Sequence, residues 1–583
     1  MSGKFLLLKK YWPLVAVALL VGTFSVLPLF FSLQRMGDSF QGIWPQFNDD
    51  ANFYLSRAHE ALDGHLDMNN PYVAEHKDET YPQAVGGELF MAFFAWSLHI
   101  SIPALQAGLT FVSPALMAAL FYLLLMLLYP NRASSFVLSL AFFTVVTGGM
   151  TKPIHPVVSF PLLLIFLLSW FGLILENKYK RLRTLMCGLA LGLLFLTYFF
   201  HWSFLLVVLG VYALLLIVRR DHVQFKRHLA IAAVALVIAG PYLVRVIFGV
   251  EAPFYHEMAL RMGVFSTHWP ETFPRLAVAL VWLAFFIFVT RHYCLQREQR
   301  SHILFALLIA NVVYPNHQII TGITVENANH WSYMPIFVYF LAGQYLFNVI
   351  FKHAWAARKM FDASVAGAVA LMVAVPAWRL QTFNFPPYQR SLRIAATEEI
   401  EQRYTDSLAW INGNAPTDSV VFSNLGFMWL VPVYTHANVY YSENAYYLLA
   451  SDAEIIERTL LFHFFDIGQF KAANFGLGEV PRILWTQPAM IERNTHWLHD
   501  RLGVPWTTEF SLARELALVQ STYDRLAQNG WNLDLLRRYR LDYFVWDKTL
   551  NPEWKLDQYP DLAKVYDRDG IAIFMFNDMA HGA

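Results

Sequence analysis

The chain has only two cysteines in 583 residues and little charge. Cys187 and Cys294 stand far apart, in or beside apolar runs, so neither a disulfide framework nor a zinc-type cysteine spacing is expected. Lysine and arginine number 43, and aspartate and glutamate also 43. With no net field to favour nucleic acid, any use of charge has to be local. HExxH, a Walker loop and GxGxxG are all missing, which leaves the zinc-hydrolase and nucleotide-binding classes without their motifs. No internal repeat or low-complexity linker divides the sequence.

What is plentiful is apolar. Hydrophobic residues make up 56% and aromatic ones 16%, against 15% charged, and the mean hydropathy is +0.38. That is the profile of a polytopic membrane protein. Windows able to cross about 30 Å of hydrocarbon fall near 11–33, 104–129, 136–151, 156–175, 184–200, 202–218, 228–248, 274–290, 302–315, 331–350 and 364–379. The first follows Lys4, Lys9 and Lys10 and is too long for a cleaved signal, so it is expected to remain as an anchor.

Loop charge sets the sides. Lys178, Lys180, Arg181 and Arg183, then Arg219, Arg220, Lys226 and Arg227, then Arg291, Arg297 and Arg300, and finally Lys352, Arg358 and Lys359 gather in alternate loops. Those loops and the N-terminus are expected in the cytoplasm. The segment 84–100, which carries Glu88 and ends near His99, must then not span; it is expected to lie along the interface or dip part-way. The reading is a membrane bundle of about eleven helices over 1–380, with a long first outer loop at 34–83. From about Gln381 the composition is that of a soluble domain. There β-rich SVVFSN, NVYYSE, LDYFVWD and IAIFMF alternate with helix-like stretches, which predicts an extracytoplasmic α/β domain over 381–583.

Unusual polar residues collect in the outer loops. Residues 47–64 read FNDDANFYLSRAHEALDG: Tyr54, Ala58, Ala61 and Leu62 share a helical face, Gly64 is placed as a stop, and the helix is expected on the membrane surface. Asp49 and Asp50 open it. One carboxylate suffices as a cap, so the second stands at the membrane lip for another reason. TKPIHP (151–156) holds Lys152 and His155 between prolines; the pair can bind an anion, although a lysine there also serves as a snorkelling anchor. His201 sits in the aromatic TYFFHWS, where a satisfied interface histidine is the ordinary account. Arg245, near the outer end of a span, is costly enough in lipid to want a partner or an anionic ligand, and Arg261 follows in the next loop. YPNHQIITGITVENANHWSYMP (314–335) packs Asn316, Glu326, His330 and Trp331 into a short reversal. Amides, imidazoles and an aromatic so close together mark a binding surface.

These features resemble the GT-C superfamily of polytopic glycosyltransferases, which take a sugar from a polyprenyl-phosphate carrier on the outer membrane face. The match lies in the acidic pair of NDDANFYLSRAHEALDG, the long first outer loop, the span count and the C-terminal domain. TVENANHW is faintly similar to the outer-loop glutamate motif of oligosaccharyltransferase catalytic subunits, whose WWDYG-type signature is absent from 380–583. The resemblance implies an enzyme of a bacterial inner membrane, N-terminus cytoplasmic, that transfers a sugar to a glycan, lipid or protein acceptor. It implies Asp50 as base and Asp49 as its partner, the two roles being interchangeable. Lys152, His155, Arg245 and Arg261 are implied for the donor phosphate, and Glu326, His330 and Trp331 for sugar or acceptor. Tyr81, His201 and Asn316 complete the candidate substrate contacts. A divalent cation, Mg or Mn, would fall to Asp49, Asp50 and Glu326. A transporter or flippase is the rival reading, but it would place ionisable residues near the bilayer midplane; a non-catalytic scaffold is the third.

Overall fold

The computed structural model describes residues 2–47, 50–66, 70–79, 83–146, 149–176, 178–270, 273–325, 333–353, 400–475, 512–528 and 530–580. Apolar sequence folds into helices that cover the predicted windows from 11–33 to 331–350, continuing even through Pro13, Pro28, Pro114 and Pro241. They are α1 (Ser2–Met36), α4 (Ile102–Leu128), α5 (Arg132–Val146), α6 (Ser159–Leu175), α7 (Lys180–Phe195), α8 (Phe199–Val218), α9 (His222–Val250), α11 (Phe273–His292), α12 (Gln299–Val313) and α13 (Met334–His353). Local sequence sets their starts: the Ser101 hydroxyl accepts from Ala104 N ahead of α4, and Asp221 accepts from Gln224 N ahead of α9. Between the long helices lie α2 (Ala51–Leu62), α3 (Gly86–Leu98) and α10 (Tyr255–Arg261).

Five of the helices, α1, α4, α8, α9 and α11, are long and apolar enough to cross a membrane, and they make the chain an integral membrane protein. Others are shorter, and window 364–379 lies outside the described residues, so about eleven full crossings are not reached among the described residues. Helix α3 has 13 residues, about 20 Å at 1.5 Å per residue, too short for about 30 Å of hydrocarbon. Its Phe90, Phe93, Phe94 and Trp96 are exposed. Glu88 on its other face is buried and meets Arg57 of α2 at 2.7 Å, which ties the helix down beside the bundle.

Among the described residues the C-terminal part builds a five-stranded mixed sheet. Its strands are β3 (Val420–Phe422), β4 (Asn438–Val439), β5 (Tyr543–Asp547), β6 (Leu562–Arg568) and β7 (Ile571–Phe576), in the order β4-β3-β5-β7-β6. Strands β4, β3 and β5 run parallel, while β7 is antiparallel to both β5 and β6. Every residue of β5 and β7 is buried, as continuous apolar runs require when both faces of a strand are covered. Helices α14 (Thr405–Asn414), α15 (Asp452–Phe462) and α16 (Leu512–Ala527) pack on this sheet through Leu408 and Ile411, Ile456 and Leu460, and Val519 and Leu526.

The domain core does not close on its own residues. Ile43, Phe53, Tyr72 and Val73 from the first loop, and Phe265 from a later one, enter the same apolar cluster as the sheet. On its other side α2 contributes Leu55 and Ala58 to a second cluster with Met91 and Ala95 of α3, Ile102 and Leu105 of α4, and Ile154. The expectation that α2 lies on the membrane surface is therefore corrected: apolar residues on two faces hold it between bundle and domain. Backbone bonds seal the junction. Trp44 N donates to Tyr434 Oη at 2.8 Å, Gln402 bonds the backbone at Gln41 and Ile43, and Val439 N donates to Tyr72 O. The loops after α9 and α12 join through an antiparallel pair, β1 (Phe265–Ser266) with β2 (Ile323–Thr324).

Candidate active site

Asp50 occupies the N-cap position of α2, yet its side chain makes no capping bond. Its carboxylate pairs instead with the Lys152 ammonium, from the loop between α5 and α6. One helical turn on, Tyr54 lies on the same face, and the ammonium stands 5.2 Å from its ring centre. The capping account therefore fails for Asp50, and the carboxylate faces another loop. Burial holds the Tyr54 phenol above its ordinary pKa, against the pull of Lys152, so it stays neutral.

A row of rings continues from there. His155 meets Tyr54 edge-on at 5.2 Å and stacks on Tyr198 at 4.1 Å. Tyr198 stands 4.8 Å from the ring of His201, whose Nε2 is 2.7 Å from Tyr333 Oη. Asp50 and Tyr54 on α2, the 151–156 loop, the turn before α8 and the approach to α13 thus converge on the bundle end that faces the domain. The arrangement sets a half-exposed carboxylate and a partly desolvated ammonium side by side, with an imidazole beside them. That set can accept a proton from a hydroxyl and hold an anion next to it.

The loop that supplies Lys152 and His155 is tightly held. Ile154 is fully buried at φ 62, a left-handed conformation that costs a β-branched residue roughly 1–3 kcal/mol. Gln106 of α4 donates from Nε2 to Thr151 O at 2.8 Å, and Ser113 donates to Val157 O at 2.5 Å.

Of the remaining sequence candidates, Asp49, Tyr81, Glu326, His330 and Trp331 lie outside the described residues. His201 is brought into the ring row, fully buried. Arg261 is placed elsewhere: it is fully buried and binds Asp452 at 2.5 Å and the carbonyls of Leu448 and Ala450 at 2.7 and 2.9 Å. It fastens the loop after α9 to the start of α15, and these partners occupy the guanidinium that was expected to face a donor phosphate. Asn316 is nearly buried and bonds back to Val312 O at 2.8 Å, and Arg245 is half-buried toward the end of α9. Sequence reasoning missed Tyr198 and Tyr333. Their signal was proximity, since Tyr198 stands in TYFFHWS beside His201 and Tyr333 closes the loop rich in amides and imidazoles. Among the described residues no three His, Cys, Asp or Glu side chains gather as metal ligands.

No family model matches the chain, and no curated protein does. Solved structures of two GT-C glycosyltransferases resemble it over most of its length. The oligosaccharyltransferase of Archaeoglobus fulgidus in the apo form is 13% identical at a TM-score of 0.47, covering 93% of this chain and 70% of that one. ArnT from Cupriavidus metallidurans bound to undecaprenyl phosphate is 14% identical at 0.44, covering 98% of both chains. The Archaeoglobus fulgidus oligosaccharyltransferase AglB, in complex with an inhibitory peptide and a dolichol-phosphate, is 12% identical at 0.46, covering 98% and 75%. At these scores the likeness assigns no activity by itself.

Proposed function

We propose that the chain is a membrane glycosyltransferase that moves a sugar from a polyprenyl-phosphate carrier to a hydroxyl of a glycan, lipid or protein acceptor. The reaction takes place on the outer face of a bacterial inner membrane, with the N-terminus cytoplasmic and the C-terminal domain outside. The observation that carries the reading is the pairing of Asp50 with Lys152 at the head of a helix that Asp50 does not cap.

In this reading the acceptor hydroxyl gives its proton to the Asp50 carboxylate as its oxygen bonds to the anomeric carbon of the sugar. The bond from that carbon to the carrier phosphate breaks, and Lys152 and His155 hold the oxygen that departs with the electron pair. A general base is typically worth about 10²–10⁴-fold in rate, and a fixed cation aimed at developing phosphate charge lowers the barrier further because it needs no reorganisation. Asp49 is its proposed partner. Where a divalent cation, Mg or Mn, takes part, Asp49, Asp50 and Glu326 are its proposed ligands; transfer that persists in EDTA overturns that part of the reading.

The experiment is complementation of a deletion strain, read by mass spectrometry of lipid-linked sugars and surface glycans. The deletion should build up the donor and lose a glycan decoration. Asp50→Asn, expressed at wild-type level, should fail to restore it. Unchanged donor and glycans in the deletion, or full complementation by both Asp49→Asn and Asp50→Asn, sinks the assignment. A flippase would instead leave the donor on the inner leaflet.

A further inference from the structure

The Lys152–His155 loop owes its shape to residues that touch no substrate. The start of α3 carries Gly86 and Gly87. Gly86 N donates to Leu196 O at 2.7 Å, so α3 wedges against the turn between α7 and α8. A methyl group added to Gly87 would overlap Cγ2 of Ile154, while the Ile154 Cβ would stand 3.5 Å away. Ile154 in turn sits buried at φ 62, two residues after Lys152 and one before His155. Its carbonyl accepts from Val158 N at 2.9 Å and from Ser159 N at 3.2 Å, which starts α6. At the other end of the loop the buried Gln106 holds Thr151 O. With Trp44, Pro45 and Phe47, the residues just ahead of the acidic pair, it also lines a nook of about 20 Å³, room for a single water. One amide thus borders both the segment that brings Asp50 and the segment that brings Lys152.

We infer that Gly87, Ile154 and Gln106 are positioning residues that lock the 151–157 loop so that Lys152 and His155 face a phosphate-bearing ligand beside Asp50. The inference rests on the transferase reading for the identity of that ligand, but the lock itself stands on packing. Ile154 can hold a strained backbone only because the surrounding contacts leave its side chain one place to go. That place exists only while residue 87 has no Cβ.

The test uses the full chain in nanodiscs, with undecaprenyl phosphate as probe. Hydrogen exchange at the amides of Val158 and Ser159, which donate to Ile154 O, reports the lock, and the Kd of the probe reports the ligand. Gly87→Ala should speed exchange and raise the Kd about tenfold or more, since displacements of about 1 Å in a binding constellation are that costly. Adding Ile154→Ala removes the overlapping Cγ2, so the double variant should return close to Ile154→Ala alone in both readouts. Gln106→Leu, which adds no bulk to the interface with α3, should act in the same direction as Gly87→Ala. Unchanged exchange in both Gly87→Ala and Gln106→Leu overturns the lock. Faster exchange with an unchanged Kd leaves the lock standing and overturns the assignment of this loop to the phosphate.

Discussion

Arg57 of α2 and Glu88 of α3 meet at 2.7 Å, each about 1% exposed, and Gln83 accepts a second guanidinium bond at 2.9 Å. A charge pair sealed off this completely is worth little relative to an apolar pair of the same shape, but it is costly to break from one side. Glu88→Gln or Arg57→Met should therefore destabilise the protein by about 3–5 kcal/mol, seen as a lower Tm in detergent. The double replacement Arg57→Met with Glu88→Leu should recover most of the loss. Equal Tm values for wild type and both single variants would remove the pair from any role in holding α2.

Lys152 offers a sharper measure of the site. Lys152→Met deletes one charge-assisted hydrogen bond, worth about 1.5–3 kcal/mol, so KM for a polyprenyl-phosphate donor should rise roughly 10- to 100-fold. KM for the acceptor should change much less. A variant with unaltered donor KM would mean that the ammonium serves Asp50 alone.

Much of this was legible in the sequence, and the rest was hidden for a common reason. Hydropathy placed the helices, and the spacing of Tyr54, Ala58, Ala61 and Leu62 with Gly64 gave α2 to within a residue, Gly64 indeed standing at φ 105. The strands β5 and β7 showed as apolar runs, whereas β6, LAKVYDR, alternates too weakly to announce itself. Pairings between distant residues were not legible. Arg261 looked like a phosphate ligand because its partner Asp452 lies 191 residues on. Either aspartate of the acidic pair could have been a cap, because Lys152, the partner of Asp50, is 102 residues away. Residue type signals a need for a partner, and only the fold says which.

Arg261 is consequently assigned to the domain junction. Arg261→Ala leaves Asp452 without its main cation and two carbonyls without their donor, so it should cost about 3–5 kcal/mol and expose the loop after α9 to limited proteolysis. Arg261→Lys should rescue only in part, because an ammonium cannot reproduce the planar fork that reaches both the carboxylate and the carbonyls. Donor KM should stay near the wild-type value in both variants. A donor-specific defect would return this arginine to the substrate.

The junction should also weaken in alkali. Burial alone would lower the His76 pKa, but bonds to Glu454 and Glu79 outweigh it and raise the value from 6.5 to about 9. A histidine raised on folding stabilises fully below its unfolded value, and that contribution fades as pH climbs through about 9, a loss of roughly 3 kcal/mol. Glu60 moves in an earlier window: burial, opposed by Lys77, raises it from 4.5 to about 7, so its protonated form favours the fold and stability falls between those values. Tm should decline across both windows, His76→Gln flattening the upper part and Glu60→Gln the lower. A pH-independent Tm between 5 and 9 in the wild type would contradict both.

The docking of the first loop into the sheet domain has a consequence for biogenesis. Trp44 bonds to Tyr434, 390 residues downstream, and Gln41 to Gln402, 361 downstream. A ribosome releases the chain from its N-terminus, and contacts of such separation form late because the loop they close must first exist. The head of α2 is made hundreds of residues before the sheet domain that the segment ahead of it docks against. The segment that leads into α2 therefore waits undocked through the synthesis of hundreds of further residues, and its backbone donors at Gln41 and Trp44 find their partners only once Gln402 and Tyr434 exist.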